Sequence, residues 1–244
     1  MSSPQKQYTQ ELFNKWGYMA TWLPGVPIQL GDIGTYHKGQ FERITSLKNL
    51  GIPFRVMKGA VIDQDNYMSQ GAVSEIFKAK GEASELAKYL SEAEAGFIVE
   101  MSRANATLFK AKGLRTFRID DLQTLGDQIL DLYRSGNWDR KHFVVIETRD
   151  AESATILISS SANAKIELSA TGRISPAGVN IADMDAGLQT QYTRDMHTQI
   201  IATAGLTPLF KAWSVKKPVF GNAFFRDAEV SVAELTPDEI EYEE

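Results

Sequence analysis

Residues Ala162-Asn163-Ala164-Lys165-Ile166-Glu167-Leu168-Ser169 decide the fold. Their apolar side chains recur at every second position, and that two-residue period belongs to a β-strand with one dry face and one wet face. Working outward, His142 to Thr148 and Ala154 to Ile158 are apolar, β-branched runs that read as two more strands, with Asp150-Ala151-Glu152-Ser153 as the turn between them. Leu206 to Trp213 reads as a late strand entered through Pro208. Upstream, Val73, Glu75, Phe77 and Ala79 alternate with Ser74, Ile76 and Lys78, while Phe97 to Met101 and Ala106 to Phe109 resume strand character around a turn at Arg103-Ala104-Asn105. Ile28 to Tyr36 and Phe41 to Ile44 suggest a hairpin that turns at His37 to Gln40.

Helices are fewer. Tyr8 to Trp16 carries Leu12 and Trp16 four apart and stops at Gly17, where a helix C-cap belongs. Glu82 to Glu94 places Leu86 and Leu90 four apart. Asp120-Asp121 stands at an N-cap, and Leu122, Leu125, Ile129, Leu132 and Tyr133 follow at helical spacing up to Gly136. A few helices clustered between groups of strands predict an α+β fold: mainly antiparallel, twisted sheet with a few connecting helices, in a single domain. No break in composition divides a body of residues 1–218, and residues 219–244 form an acidic tail.

The 244 residues are 43% hydrophobic and 23% charged, enough apolar material for an ordinary globular core. Cysteine is absent, which excludes disulfides, thiolate metal sites and thiol nucleophiles and fits a reducing compartment, so a cytoplasmic protein is expected. No apolar run approaches the roughly 18–20 residues of a spanning helix, and the first thirty residues lack a basic segment followed by an apolar one. The net charge of −5 argues against a nucleic-acid partner. From Asp227 onward lie eight carboxylates and no base; in residues 1–226 the remaining 23 acids face 26 bases, a net +3.

Phosphate-cradling glycine loops, nucleophile elbows and zinc-binding helices are missing from the sequence. His37, His142 and His197 have no carboxylate or second imidazole at ligand spacing. Asp63-Gln64-Asp65 and Asp183-Met184-Asp185 read as turn residues bonding their own backbone, and Ser159-Ser160-Ser161 has no base beside it. No catalytic, cofactor-binding or metal-binding residue is therefore assigned, and no enzyme activity is expected.

What remains is an order of features: a short opening helix, Gly17-Tyr18, a connector through Leu23-Pro24-Gly25, a short hairpin, strand groups with a linking helix, the apolar pair Phe143 to Leu168, and the proline-led strand Leu206 to Trp213. In that order the chain resembles the bacterial gasdermins, pore-forming defence proteins. The lipidated N-terminal cysteine found in that family is absent here, and the tail is acidic rather than apolar. The resemblance implies a soluble precursor that permeabilises membranes once a protease removes an inhibitory C-terminal segment, that then binds anionic lipid and oligomerises with its own copies. Phe143, Val145, Ala162, Ala164, Ile166 and Leu168 become candidates for spanning strands, with lipid-facing and lumen-facing side chains alternating. Phe-Lys-Ala-Lys-Gly occurs twice, at Phe77 to Gly81 and Phe109 to Gly113, and makes Lys78, Lys80, Lys110 and Lys112 candidates for contact with anionic lipid. Phe220, Phe224 and Phe225 are candidates for docking the tail on the body. The alternation suits a soluble sheet with one buried face equally well, so the competing reading is a non-enzymatic assembly or binding protein that never enters a membrane. A hydrolase with a site assembled from distant segments stands third.

Overall fold

Helix α1, Pro4–Trp16, starts four residues before the first residue expected in it. The signal lies in Ser3-Pro4: the Ser3 hydroxyl accepts a hydrogen bond from the Lys6 N–H at 3.2 Å, and proline is well suited to a first helical position because its missing N–H would have no partner there. The helix ends at Gly17, whose φ of +69° is left-handed and whose N–H reaches the Phe13 carbonyl at 2.7 Å. Tyr8 and Leu12, one turn apart, are fully buried.

The computed structural model describes residues 3–37, 40–79, 95–170, 188–216 and 223–227. Beyond α1 the chain forms β1 (Met19–Ala20), β2 (Asp32–His37), β3 (Gln40–Ser46), β4 (Val56–Met68), β5 (Val73–Ala79), β6 (Ala95–Met101), β7 (Thr107–Ile119), α2 (Leu122–Arg134), β8 (Phe143–Ser159), β9 (Ala164–Ala170), β10 (Leu188–Arg194), β11 (Met196–Lys216) and β12 (Phe224–Asp227). An eight-stranded sheet runs β1-β11-β8-β2-β3, with β12 also on β11 and with β7 pairing both β8 and β4. A four-stranded antiparallel sheet runs β10-β9-β6-β5. The fold is α+β and mainly antiparallel, as the alternation predicts. The expected helix at 82–94 and the Asp183-Asp185 pair lie outside the described residues.

The chain divides into two compact units, each drawn from three separated stretches: residues 1–11, 62–114 and 151–206 in the first, and 12–61, 115–150 and 207–244 in the second. In the first unit the core gathers Phe97, Val99 and Met101 of β6, Ala164, Ile166 and Leu168 of β9, Leu108 of β7 and Leu157 of β8. The second unit has two clusters on β8. Val144 and Ile146 pack with Leu125 and Ile129 of α2, while Val145 packs with Met19, Phe41 and Phe210. Helix α2 begins as expected at Asp121, whose carboxylate accepts from the Thr124 N–H at 2.9 Å and its hydroxyl at 2.7 Å.

Three expectations need correction. Asp63-Gln64-Asp65, read as a turn, lies within the continuous strand β4. Asp150-Ala151-Glu152-Ser153 has the composition of a turn, yet the backbone runs straight through it as part of one long strand, β8. Ala151 is buried there, and Asp150 accepts a hydrogen bond from the Thr207 hydroxyl at 3.2 Å, so neighbouring strands satisfy the residues a turn would have satisfied locally. Ala162 sits in the turn before β9, not in the strand, because Asn163 takes a left-handed φ of 66° and extended backbone begins at Ala164.

In the β2–β3 hairpin the register shifts between Ile33 and Gly34, bringing the Glu42 carbonyl and the Phe41 ring against the Gly34 Cα. Any Cβ there meets backbone rather than a movable side chain. Gly34→Ala is expected to destabilise the protein by about 1–3 kcal/mol through overpacking. At this chain size that lowers the thermal midpoint by roughly 2–4 °C per kcal/mol, readable by calorimetry.

Candidate functional site

The four-stranded sheet consists of two antiparallel strand pairs side by side, β5 with β6 and β9 with β10, joined through the β6–β9 pair. Register sets its faces. Val73 lies opposite Met101, Glu75 opposite Val99 and Phe77 opposite Phe97; Phe97, Val99 and Met101 in turn lie opposite Leu168, Ile166 and Ala164. These residues share one face, which is apolar apart from Glu75. The other face carries Ser74, Ile76, Ile98, Glu100, Lys165, Glu167 and Ser169. On it, the Lys165 ammonium lies 2.8 Å from Glu167 and 3.8 Å from Glu100. The Glu167 hydrogen bond, reinforced by the charges of both carboxylates, holds Lys165 above the usual lysine range.

Each strand of this sheet joins a longer strand through one left-handed residue. Gly71 (φ 65°) stands between β4 and β5, Asn105 (φ 59°) between β6 and β7, Asn163 (φ 66°) between β8 and β9, and Asp195 (φ 55°) between β10 and β11. Asparagine and aspartate tolerate that region better than other residues with a Cβ, because their short polar side chains bond the local backbone. Hydrogen bonds tie the four junctions together. Ser69 Oγ accepts from the Thr107 N–H at 2.8 Å and donates to Glu11 at 2.6 Å. Arg103 and Gln7 donate to the same Glu11 carboxylate at 2.8 and 3.1 Å. Ser159 Oγ accepts from the Ala106 N–H at 2.9 Å and donates to the Arg103 carbonyl at 2.7 Å, and the Ser160 N–H reaches the Asp195 carbonyl at 2.7 Å. Tyr67 joins the Glu11 cluster, and its phenol is pushed up to about 12, by burial first and then by the Glu11 charge.

Of the four sequence-predicted lysines, the described residues fix the side-chain environment of two, Lys110 and Lys112. Lys110 turns inward, 6% exposed, with its ammonium 2.9 Å from Glu75. Lys112 is half-buried, Lys78 lies in β5 with its backbone opposite Gly96, and Lys80 lies outside the described residues. Among the spanning-strand candidates, Ala164, Ile166 and Leu168 are fully buried in the first unit. Phe143 and Val145 belong to the second unit, on a stretch of β8 that is apolar on both faces, because Val144 and Ile146, which alternate with them, are buried on the opposite side. Of the tail candidates, Phe225 packs edge-on against Trp213 at 5.5 Å and covers Gly126 of α2. Phe224 is 41% exposed, and Phe220 lies outside the described residues. Strand β12, which holds both described phenylalanines, pairs with Trp213 to Lys216 of β11.

Glu11, Ser69 and Glu75 were not singled out by the sequence. Only Glu75 left a signal there, as the one charge in the alternating series Val73, Phe77, Ala79. In the second unit, the Tyr18 hydroxyl donates to Glu147 while the Arg149 guanidinium and the Lys211 ammonium lie 4.2 and 4.5 Å from the ring centre. Burial, then the Glu147 hydrogen bond and charge, push Tyr18 up to about 12. Compared with models of protein families and with curated proteins, the chain matches none. Among the described residues no helix is long and apolar enough to cross a membrane, and no three His, Asp or Glu side chains gather as a metal would need.

Two measurements check this geometry. Phe225→Ala removes a packed ring and is expected to cost about 1–3 kcal/mol in chemical denaturation, while Phe224→Ala stays within about 0.5 kcal/mol. Tyr18 and Tyr67 ionise near 10 in the unfolded chain and near 12 in the fold, which therefore favours the neutral phenol. Their contribution to stability is whole below pH 10 and is lost as the pH climbs from 10 to 12. Tyrosinate absorbance should show two fewer groups titrating near pH 10 in Tyr18→Phe with Tyr67→Phe only after unfolding, and no such difference while both proteins are folded.

Proposed function

We propose that the chain is the precursor of a gasdermin-like membrane pore, without enzyme activity, held closed until its C-terminal segment is removed. One observation carries this reading: two adjacent antiparallel strand pairs, apolar on one face of β5, β6 and β9, whose four strands each continue through a single left-handed residue into a longer strand. Straightening those junctions makes continuous strands of residues 56–79, 95–119, 143–170 and 188–216, each longer than the roughly 9–11 residues that cross a bilayer as a tilted strand. The apolar face then meets lipid and the Lys165–Glu167 face meets water. A sheet in lipid cannot leave its edges unpaired, so several copies must close a barrel. The pairing of β12 with β11 supports a C-terminal segment that is seated on the body before activation. On this reading the protein is soluble when made, and its partners are a protease, anionic lipid and copies of itself.

A second reading, an assembly or binding protein that stays out of membranes, draws on β4. Val56, Met57, Val61, Ile62 and Met68 of this strand are exposed, and among the described residues it pairs only with β7.

A cleavage sequence inserted after Pro218, cut once the purified chain has folded, separates the two. The cut protein is expected to release dye from anionic vesicles and the uncut protein to leave them sealed. Lys165→Glu with Glu167→Lys keeps the 2.8 Å pair but reverses the order of charge along the strand, and should change ion preference in planar bilayers without abolishing conductance. Vesicles that stay sealed after cutting, while the cut chain still forms discrete assemblies in solution, would favour the second reading.

A further inference from the structure

We propose that the Glu75–Lys110 ion pair is a lock that holds the four-stranded sheet against β7 in water and opposes its transfer to lipid. Glu75 is the one charged side chain on this face among the described residues; β5, β6 and β9 otherwise give it Val73, Phe77, Phe97, Val99, Met101, Ala164, Ile166 and Leu168, and β10 adds the uncharged Thr190 and Thr193 at its edge. Lys110 comes from β7, two residues beyond the core residue Leu108, and at 6% exposure its ammonium is almost wholly removed from water. The bond between them, 2.9 Å to Glu75 Oε2, therefore joins the sheet to the layer beneath it through an otherwise apolar contact.

The pair is not built for maximal stability. Glu75 Oε1 is buried with no hydrogen-bond partner, and an ion pair with an unsatisfied oxygen is commonly no more stable than apolar side chains of the same volume. Its effect is instead asymmetric. While the sheet is seated, each charge neutralises the other. Lifting the sheet separates them, leaving a lone carboxylate on the face that would meet hydrocarbon and a lone ammonium on the layer left behind, both unfavourable outside water. Apolar packing alone opposes lifting in water but not in lipid, where hydrocarbon replaces the lost contacts; the intact ion pair adds opposition in lipid, where neither separated charge is hydrated. Its role in membrane entry rests on the pore reading, whereas its role in seating the sheet does not.

The test compares wild type, Glu75→Gln, Lys110→Met and the double variant Glu75→Leu with Lys110→Met, each as the full chain with the cleavable sequence after Pro218. In the uncut proteins, amide hydrogen exchange of residues 73–79 is expected to rise roughly tenfold or more in Lys110→Met, which leaves the partly buried Glu75 carboxylate without its cation, and to return within about threefold of wild type in the double variant. If Lys110→Met does not fold, Glu75→Gln, which strands the cation, and the double variant carry the same comparison. After cutting, the double variant is expected to release dye from anionic vesicles several-fold faster than wild type, because no charge has to leave its partner. Unchanged exchange in both single variants, or a cut double variant no faster than cut wild type, overturns the lock. Vesicles left sealed by cut wild type overturn the pore reading instead, and the exchange comparison alone then decides whether the pair seats the sheet.

Discussion

Burial of one sheet face governs the first unit. Side chains that alternate along a strand must hide half of themselves, and β5, β6 and β9 put those halves on the same side. Sliding β9 by one residue would exchange Ile166 for Glu167 on that side, so the pairing of Val99 with Ile166 and of Phe97 with Leu168 is held by the cost of wetting one set and drying the other. The neighbouring features follow from that cover. Leu108 and Leu157 supply its floor, and the polar groups that cannot enter it collect at the junctions, where Ser69, Ser159, Arg103 and Glu11 satisfy one another. Among the described residues Glu75 is the charged exception, and it has a cation beneath it.

The second unit solves a different problem, since β8 there is apolar on both sides. Val144 and Ile146 need α2, and Val145 needs Phe41 and Phe210. A strand in this position carries a continuous apolar run rather than an alternating one, as Phe143 to Ile146 does. The same strand thus changes its pattern along its length, and that change reflects what covers it rather than any break in secondary structure.

Much of the fold was legible because local chemistry and tertiary environment agree. Asp121 and the helical spacing of Leu125 and Ile129 marked α2, Gly17 marked the end of α1, and the alternation from Ala164 to Ser169 marked β9. Where the two disagree, sequence misleads. Asp150 to Ser153 resembles a turn, but Thr207, far along the chain, bonds Asp150 and keeps the strand extended. The two units were invisible for a related reason: β4, β7, β8 and β11 each contribute residues to both, so no linker or shift of composition separates them. Lysines followed by glycine look like wet strand ends, and nothing near Lys110 in sequence announces that its partner is Glu75. Three of the four left-handed residues are Asn or Asp in otherwise unremarkable polar stretches, a signal that becomes readable only once strand ends are known.

The interleaving of the two units also sets when this protein is able to fold. The first unit takes residues as far as 206, and the second continues beyond 207. During synthesis neither can close until β11 has emerged, so β5, β6 and β9 must wait with their apolar sides uncovered while more than half the chain is already outside the ribosome. Hairpins such as β2–β3 can form on the way, because their partners are adjacent in sequence. The pairing of β1 with Leu209 and Phe210, by contrast, links stretches far apart in sequence. Both units therefore close late, after a slow search for partners distant in sequence, because each of them needs part of the last long strand, β11.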